Sequence, residues 1–433
     1  MKWPSKLAGA AIAAGLIWAI ASHGSAARQT AADPVPARPQ LFHPDPEHLW
    51  NRLHYHLTVA SGQEGSFDAL DPVLWPQTEW LLTGASHEKA LRLLDEFLRA
   101  RGERLVSDPL KRALLQRDIW AVFDWAARKD PHPEARRALR AKLAPVLWRL
   151  ALQEEQVNVL PDTYRQAVAS GRYAVQYDPS HPKKPFLPPD LFDPQGPWVA
   201  LRPARYPIAP THVSAFSGRS VFHIFLRLPG GRKATMDYLA KLWHFPRPWV
   251  PAPDLRTSCC LSLLNPDVPQ FPPGTQVALV RRMVLFDADG KLLTTPMTES
   301  VQIRVFRDVP TGGLTAASMR AQDFFEFNLS RALLLAGEAG GLRQVRIDEE
   351  VKFSIFGNGH LTCVNCHAGP GVHSFNSVEA LFPPSPLVSD SAEAYWHLGP
   401  PDASWKEDRY DWGLLNALRP LPDNPPEAGL TPR

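Results

Sequence analysis

The sequence predicts an α+β fold with a helical N-terminal region, a β-containing middle and a Pro-rich C-terminal segment. Three observations predict it. Between residues 45 and 175, apolar side chains recur at helical spacing behind cap and proline signals. Between 212 and 310 the pattern changes to β-rich runs separated by turn chemistry. Proline then punctuates the rest: the 433-residue chain has 45 of them, about twice the usual share. The corresponding divisions are 1–27, a leader; 40–175, a helical domain; 176–350, a Pro-rich arm and mixed α/β domain; and 351–433, a C-terminal segment.

Lys2 and Lys6 precede an apolar run from Leu7 to Ala21, and small residues follow at Gly24-Ser25-Ala26-Ala27. This is the order of a secretory signal peptide, with a run short for a spanning helix. An uncleaved anchor is the alternative. No later run is long enough to span a bilayer, so no membrane span is expected once the signal is removed. The expected address is periplasmic or secreted.

Asp45-Pro46 predicts an N-cap with proline at the first helical position, and Leu49, Trp50, Leu53 and Leu57 fall on one face. His48, His54 and His56 on this helix are expected to be surface or cap residues, with a distant iron ligand as the alternative. A second helix is predicted over 88–101, capped by Ser86 and stopped by Gly102, with Ala90, Leu94 and Phe97 in its buried stripe. Asp108-Pro109 opens a third, apolar on nearly every side around Trp120 to Ala127 and therefore central. Pro133-Glu134 opens a fourth, which Pro145 should kink.

From Tyr177 to Trp198, prolines exclude regular structure, yet Phe186, Leu187, Leu191, Phe192 and Trp198 are interleaved with them. That composition predicts an extended arm packed along the protein. Strands are expected around Val221 to Arg227 and in a hairpin whose first arm is Gln276 to Phe286, whose turn is Asp287-Ala288-Asp289-Gly290, and whose second arm contains the alternating Val301, Ile303 and Val305. Gln322 to Ala339 reads as helix, ended by Gly340-Gly341, and short strands are expected over 342–347 and 351–356.

Cys363-Val364-Asn365-Cys366-His367 is the chemically richest stretch. Cys-x-x-Cys-His is the spacing at which two thiols add to the two haem vinyl groups and the adjacent imidazole ligates iron. On these residues the chain resembles the c-type cytochromes. The resemblance implies one covalently bound haem c, with Cys363 and Cys366 as thioether attachments and His367 as the proximal ligand. It also implies export, where covalent haem attachment takes place in bacteria, a redox partner protein, and either electron transfer or haem-based redox chemistry. The resemblance stops at these residues. Met1, Met236, Met283, Met297 and Met319 all precede the motif, leaving no downstream methionine ligand, and Gly369-Pro370-Gly371 opposes a helix after it. His397, His373 and His360 are candidate sixth ligands, and an upstream histidine such as His244, or an open position, is an alternative. Two imidazoles would favour electron transfer, and an open position ligand binding or peroxide chemistry.

Two other chemistries fit the same residues. Cys259 and Cys260 could pair with Cys363 and Cys366 as disulfides in a structural or interaction protein. His360, Cys363, Cys366 and either His367 or His373 could hold zinc, although the spacing is not that of a common finger. The formal charge of +3, without a basic stripe interleaved with aromatics, gives no support for nucleic-acid binding. Gly-x-Ser-x-Gly, His-Glu-x-x-His, phosphate-loop and dinucleotide signatures are absent from the sequence. The Asp287-to-Gly290 run lacks the later acidic ligand of a calcium loop.

Overall fold

The computed structural model describes residues 40–58, 79–128, 132–201, 209–251, 262–307, 322–345, 371–374 and 403–420. Helices dominate its N-terminal part and an antiparallel sheet its middle, as the α+β expectation requires.

Four helices form the first layer: α1 (Leu49–Thr58), α2 (Gly84–Arg99), α3 (Pro109–Ala126) and α4 (Pro133–Leu150). Asp108 caps α3, its side chain accepting from the Leu110 and Lys111 amides, and Pro109 takes the first helical position, where no donor is needed. From Ala113 to Ala126 every residue of α3 is buried, which bears out its central place. The α4 helix runs through Pro145 from Pro133 to Leu150. Two expectations at the helix starts are corrected. Asp45 closes a turn before α1, accepting from the Glu47 amide, and the helix itself begins at Leu49. Thr83, rather than Ser86, occupies the N-cap of α2, because Gly84 opens the helix a turn earlier.

Two short helices, α5 (Glu154–Asn158) and α6 (Thr163–Ala169), lead into the Pro-rich arm. That arm is packed: Phe186, Leu187, Leu191 and Trp198 are buried. It delivers the chain to β1 (Val199–Leu201), and α7 (Pro210–Ala215), β2 (Ser220–Arg227) and α8 (Gly231–Trp243) follow. A small ribbon of β3 (Trp249–Pro251) and β4 (Ser262–Leu264) stands apart from the main sheet.

The expected hairpin is formed by β5 (Gln276–Phe286) and β6 (Leu292–Phe306). Asp287 makes its turn, accepting the Asp289 and Lys291 amides on Oδ1, and Gly290 supplies a φ of +88°. The 322–339 helix is a correction. Gln322–Leu329 is strand β7, and only Arg331–Leu335 forms a helix, α9. Phe325, Phe327 and Leu329 point to the core while Phe324, Glu326 and Asn328 point away, the period of a strand. Strand β8 (Leu342–Gln344) completes an antiparallel sheet of order β1-β2-β5-β6-β7-β8. Near the C-terminus, α10 (Ser404–Glu407) and α11 (Tyr410–Ala417) return to α3.

The sheet separates two apolar clusters. Its first face, with Val280, Val301, Ile303 and Phe327, merges with the helical layer into one core. Its second face, with Phe222, Ile224, Leu226 and Val277, packs against Tyr238, Leu239 and Leu242 of α8.

Candidate functional site

A β-bulge builds the first charged cluster. Arg281 pairs with Ser300 and Arg282 with Thr298, so Glu299 is an extra residue on β6. Bulges re-aim side chains, and here Glu299 is fully buried. Arg117 Nε of α3 lies 3.1 Å from Glu299 Oε1, Arg281 Nε lies 3.4 Å from Oε2, and the Ser220 hydroxyl donates to the same carboxylate.

On the next residue of α3, Asp118 accepts from Arg331 and lies 3.1 Å from His54 Nδ1. Burial acts to raise the Asp118 carboxyl, but the Arg331 and His54 charges outweigh it and hold the group below its ordinary value. Two turns on, Asp124 accepts from Arg219 and, at 2.7 Å, from Lys406 of α10. Lys406 also reaches Asp411 at 3.1 Å and lies 5.1 Å from the Trp120 ring centre. Burial pushes the Asp124 carboxyl up and the Lys406 ammonium down, so desolvation works against this pair and their mutual attraction only partly offsets it. These groups tie α3 to α1, β2, β6, α9 and α10. Their buried, mutually paired geometry is that of a cross-brace, in which Asp124 Oδ1 is left without a hydrogen-bond partner.

The N-terminal histidines are a further correction. His54 and His56 are buried rather than superficial. His56 Nε2 lies 2.9 Å from the Ser86 carbonyl, and burial lowers its pKa. His48 stacks on His43 with ring centres 4.3 Å apart.

The second cluster lies on the other face of the sheet. His212 of α7 lies 5.6 Å, centre to centre, from the Phe222 ring of β2. Arg281 of β5, directly across from Phe222 in register, holds its guanidinium 4.0 Å from the centre of the Phe216 ring. Arg304 of β6 stands on the same face, with its guanidinium 5.6 Å from the Phe306 ring. Both arginines are more than nine-tenths buried. Burial, reinforced by the two guanidinium charges, pushes His212 down to about 4, and burial alone lowers Arg304 to about 10.

Cys363, Cys366, His367, His360 and His397 lie outside the described residues, as do Cys259 and Cys260. The backbone of His373 falls within the short 3-10 turn Gly371–Ser374. That turn is anchored: the Val372 amide donates to Gln270 Oε1 at 2.7 Å, and the Val372 side chain is fully buried against the second-face cluster. His244 ends α8 as an exposed C-cap. Among the described residues, no three histidine, cysteine or carboxylate side chains form a metal-binding group, and no helix is long and apolar enough to cross a membrane.

Comparison with protein-family models, with curated proteins and with solved structures gave no match to this chain.

The sequence analysis missed both charged clusters. A signal for the first was present, since Arg117, Asp118 and Asp124 interrupt a helix otherwise apolar on nearly every side. Charges in such a helix must find partners indoors. The second cluster carries no such signal, because His212, Arg281 and Arg304 come from separate elements.

Proposed function

We propose that this chain is an exported protein carrying one covalent haem c, held through thioether bonds to Cys363 and Cys366 with His367 as the proximal iron ligand. Its task is single-electron transfer with a redox partner protein, or redox chemistry at the haem. The observation that carries the proposal is the Cys-x-x-Cys-His sequence itself, whose donor set fits the group: two thiols for the two vinyl positions and an imidazole for the iron. The signal-like N-terminus supports it, because it supplies export to the compartment where such attachment occurs. When bound, the haem supplies a one-electron iron couple. Four residues beyond His367, the described turn Gly371–Ser374 is anchored through Val372 to Gln270 and the second-face cluster.

His360, His373 and His397 are the nearby imidazoles for the sixth position. A histidine there would suit electron transfer, and an open position ligand binding or peroxide chemistry. Peptide mass spectrometry tests the attachment in protein made with a cytochrome c maturation system. The peptide containing residues 363–367 should carry the haem mass. Cys363→Ser with Cys366→Ser should abolish it while leaving the folded core intact. An unmodified wild-type peptide, in cells that mature a control cytochrome, would overturn the proposal.

A further inference from the structure

Among the described residues, the tyrosine hydroxyls that donate hydrogen bonds differ in what they donate to. Tyr164, Tyr173 and Tyr238 reach the backbone carbonyls of Pro188, Leu342 and Pro269. Tyr177 alone reaches a carboxylate, Oδ2 of Asp323, at 2.5 Å. That is the length of a charge-assisted O–H···O⁻ bond. An amide carbonyl accepts a hydrogen bond but is too weak a base to take the proton, whereas a carboxylate can take it.

The pair is fixed in place. Asp323 stands near the start of β7, paired in register with Val305, and Arg307 Nε lies 3.2 Å from the same Oδ2. The Tyr177 ring packs against Phe186 and Phe325, with ring centres 5.9 and 6.4 Å away. Tyr177 and Asp323 are both only partly buried, so a reagent in solution can reach the phenol. Burial, with the Asp323 carboxylate, pushes the Tyr177 phenol up to about 12. Its proton therefore does not leave by itself at neutral pH. A phenol that loses an electron becomes a strong acid, and a base already on its hydroxyl then eases the oxidation.

We propose that Tyr177 is a redox-active tyrosine, oxidised by one electron with Asp323 as the base that takes its proton. The co-reactant is an outer-sphere one-electron acceptor. It takes one electron from the ring, the Tyr177 O–H bond breaks, and an O–H bond forms at Asp323 Oδ2. A neutral phenoxyl radical remains, and re-reduction returns the electron and the proton. The proposal does not rest on the haem reading.

The test uses the full-length protein, fully oxidised beforehand with ferricyanide so that only side chains are left to react. Hexachloroiridate(IV) is then added with a nitroso spin trap, and peptide mass spectrometry locates the adducts. Tyr410 is the internal control: it is 64 % exposed, more than Tyr177, and has no carboxylate partner among the described residues. If the internal base decides reactivity, Tyr177 carries more adduct than Tyr410. Asp323→Asn should then lower the ratio of Tyr177 to Tyr410 adduct by about tenfold or more, and Asp323→Glu should recover part of it. A Tyr177 yield no greater than that of Tyr410 in the wild type overturns the proposal, and needs no variant to fold. An unchanged ratio in folded Asp323→Asn overturns it equally, because the hydrogen bond would then be structural only.

Discussion

At the scale of single residues, buried charge is the dominant expense and the source of specificity. Lys406 contacts two carboxylates and an indole inside the core. Lys406→Met keeps most of the volume and strands Asp124 and Asp411 with fewer cations. The expected cost is about 3 kcal/mol in urea unfolding. Combining it with Asp124→Asn should cost clearly less than the sum of the two single changes, because both act on one network. Asp118 makes a second prediction, about pH. Its carboxyl is held below the ordinary 3.8 by Arg331 and His54 against the opposing effect of burial. A depressed folded value means the contribution is complete above the unfolded value and is lost as pH falls through the folded one. Urea midpoints of the wild type should therefore drop below about pH 4 more steeply than those of Asp118→Asn, which should itself be less stable at neutral pH. Equal acid slopes for the two proteins would contradict the assignment. The sequence hinted at these residues only through charges set in an apolar helix. Their partners, separated from them by 64 to 282 positions, come from folding alone.

At the scale of elements, legibility followed the locality of the signal. The start of α3 and the β5–β6 turn were readable because Asp108, Pro109, Asp287 and Gly290 act on neighbouring backbone. Asp108→Ala should cost about 1 kcal/mol, measured by thermal or urea unfolding. Asp108→Ser should recover most of that loss, which a role in long-range packing would not permit. The strand β7 was misread because its six-residue core Asp-Phe-Phe-Glu-Phe-Asn mixes aromatics with polar groups on both short periods. Pairing with β6 decides the case, placing Phe325 beside Ile303 and Phe327 beside Val301. The bulge at Glu299 was equally invisible, since it is defined by register against a partner strand.

At the scale of the whole molecule, the helical layer and the first face of the sheet share one apolar core, and α3 is wired to both. Helix loss followed by far-ultraviolet circular dichroism and tryptophan fluorescence should therefore give coincident urea transitions. Well-separated midpoints would show that the two layers are independent. The proposed haem attachment is legible in the opposite sense from the fold: five consecutive residues suggest its chemistry, whereas a long-range contact such as Val372 with Gln270 leaves no mark in the sequence. The central claim is that Cys363 and Cys366 hold haem covalently. The most direct measurement is a pyridine haemochrome spectrum of the protein, made with a cytochrome c maturation system, after denaturation and acid-acetone extraction. The account predicts a reduced α-band of the haem c type that stays with the polypeptide, at one haem per chain. A colourless polypeptide, from cells that mature a control cytochrome normally, would contradict it.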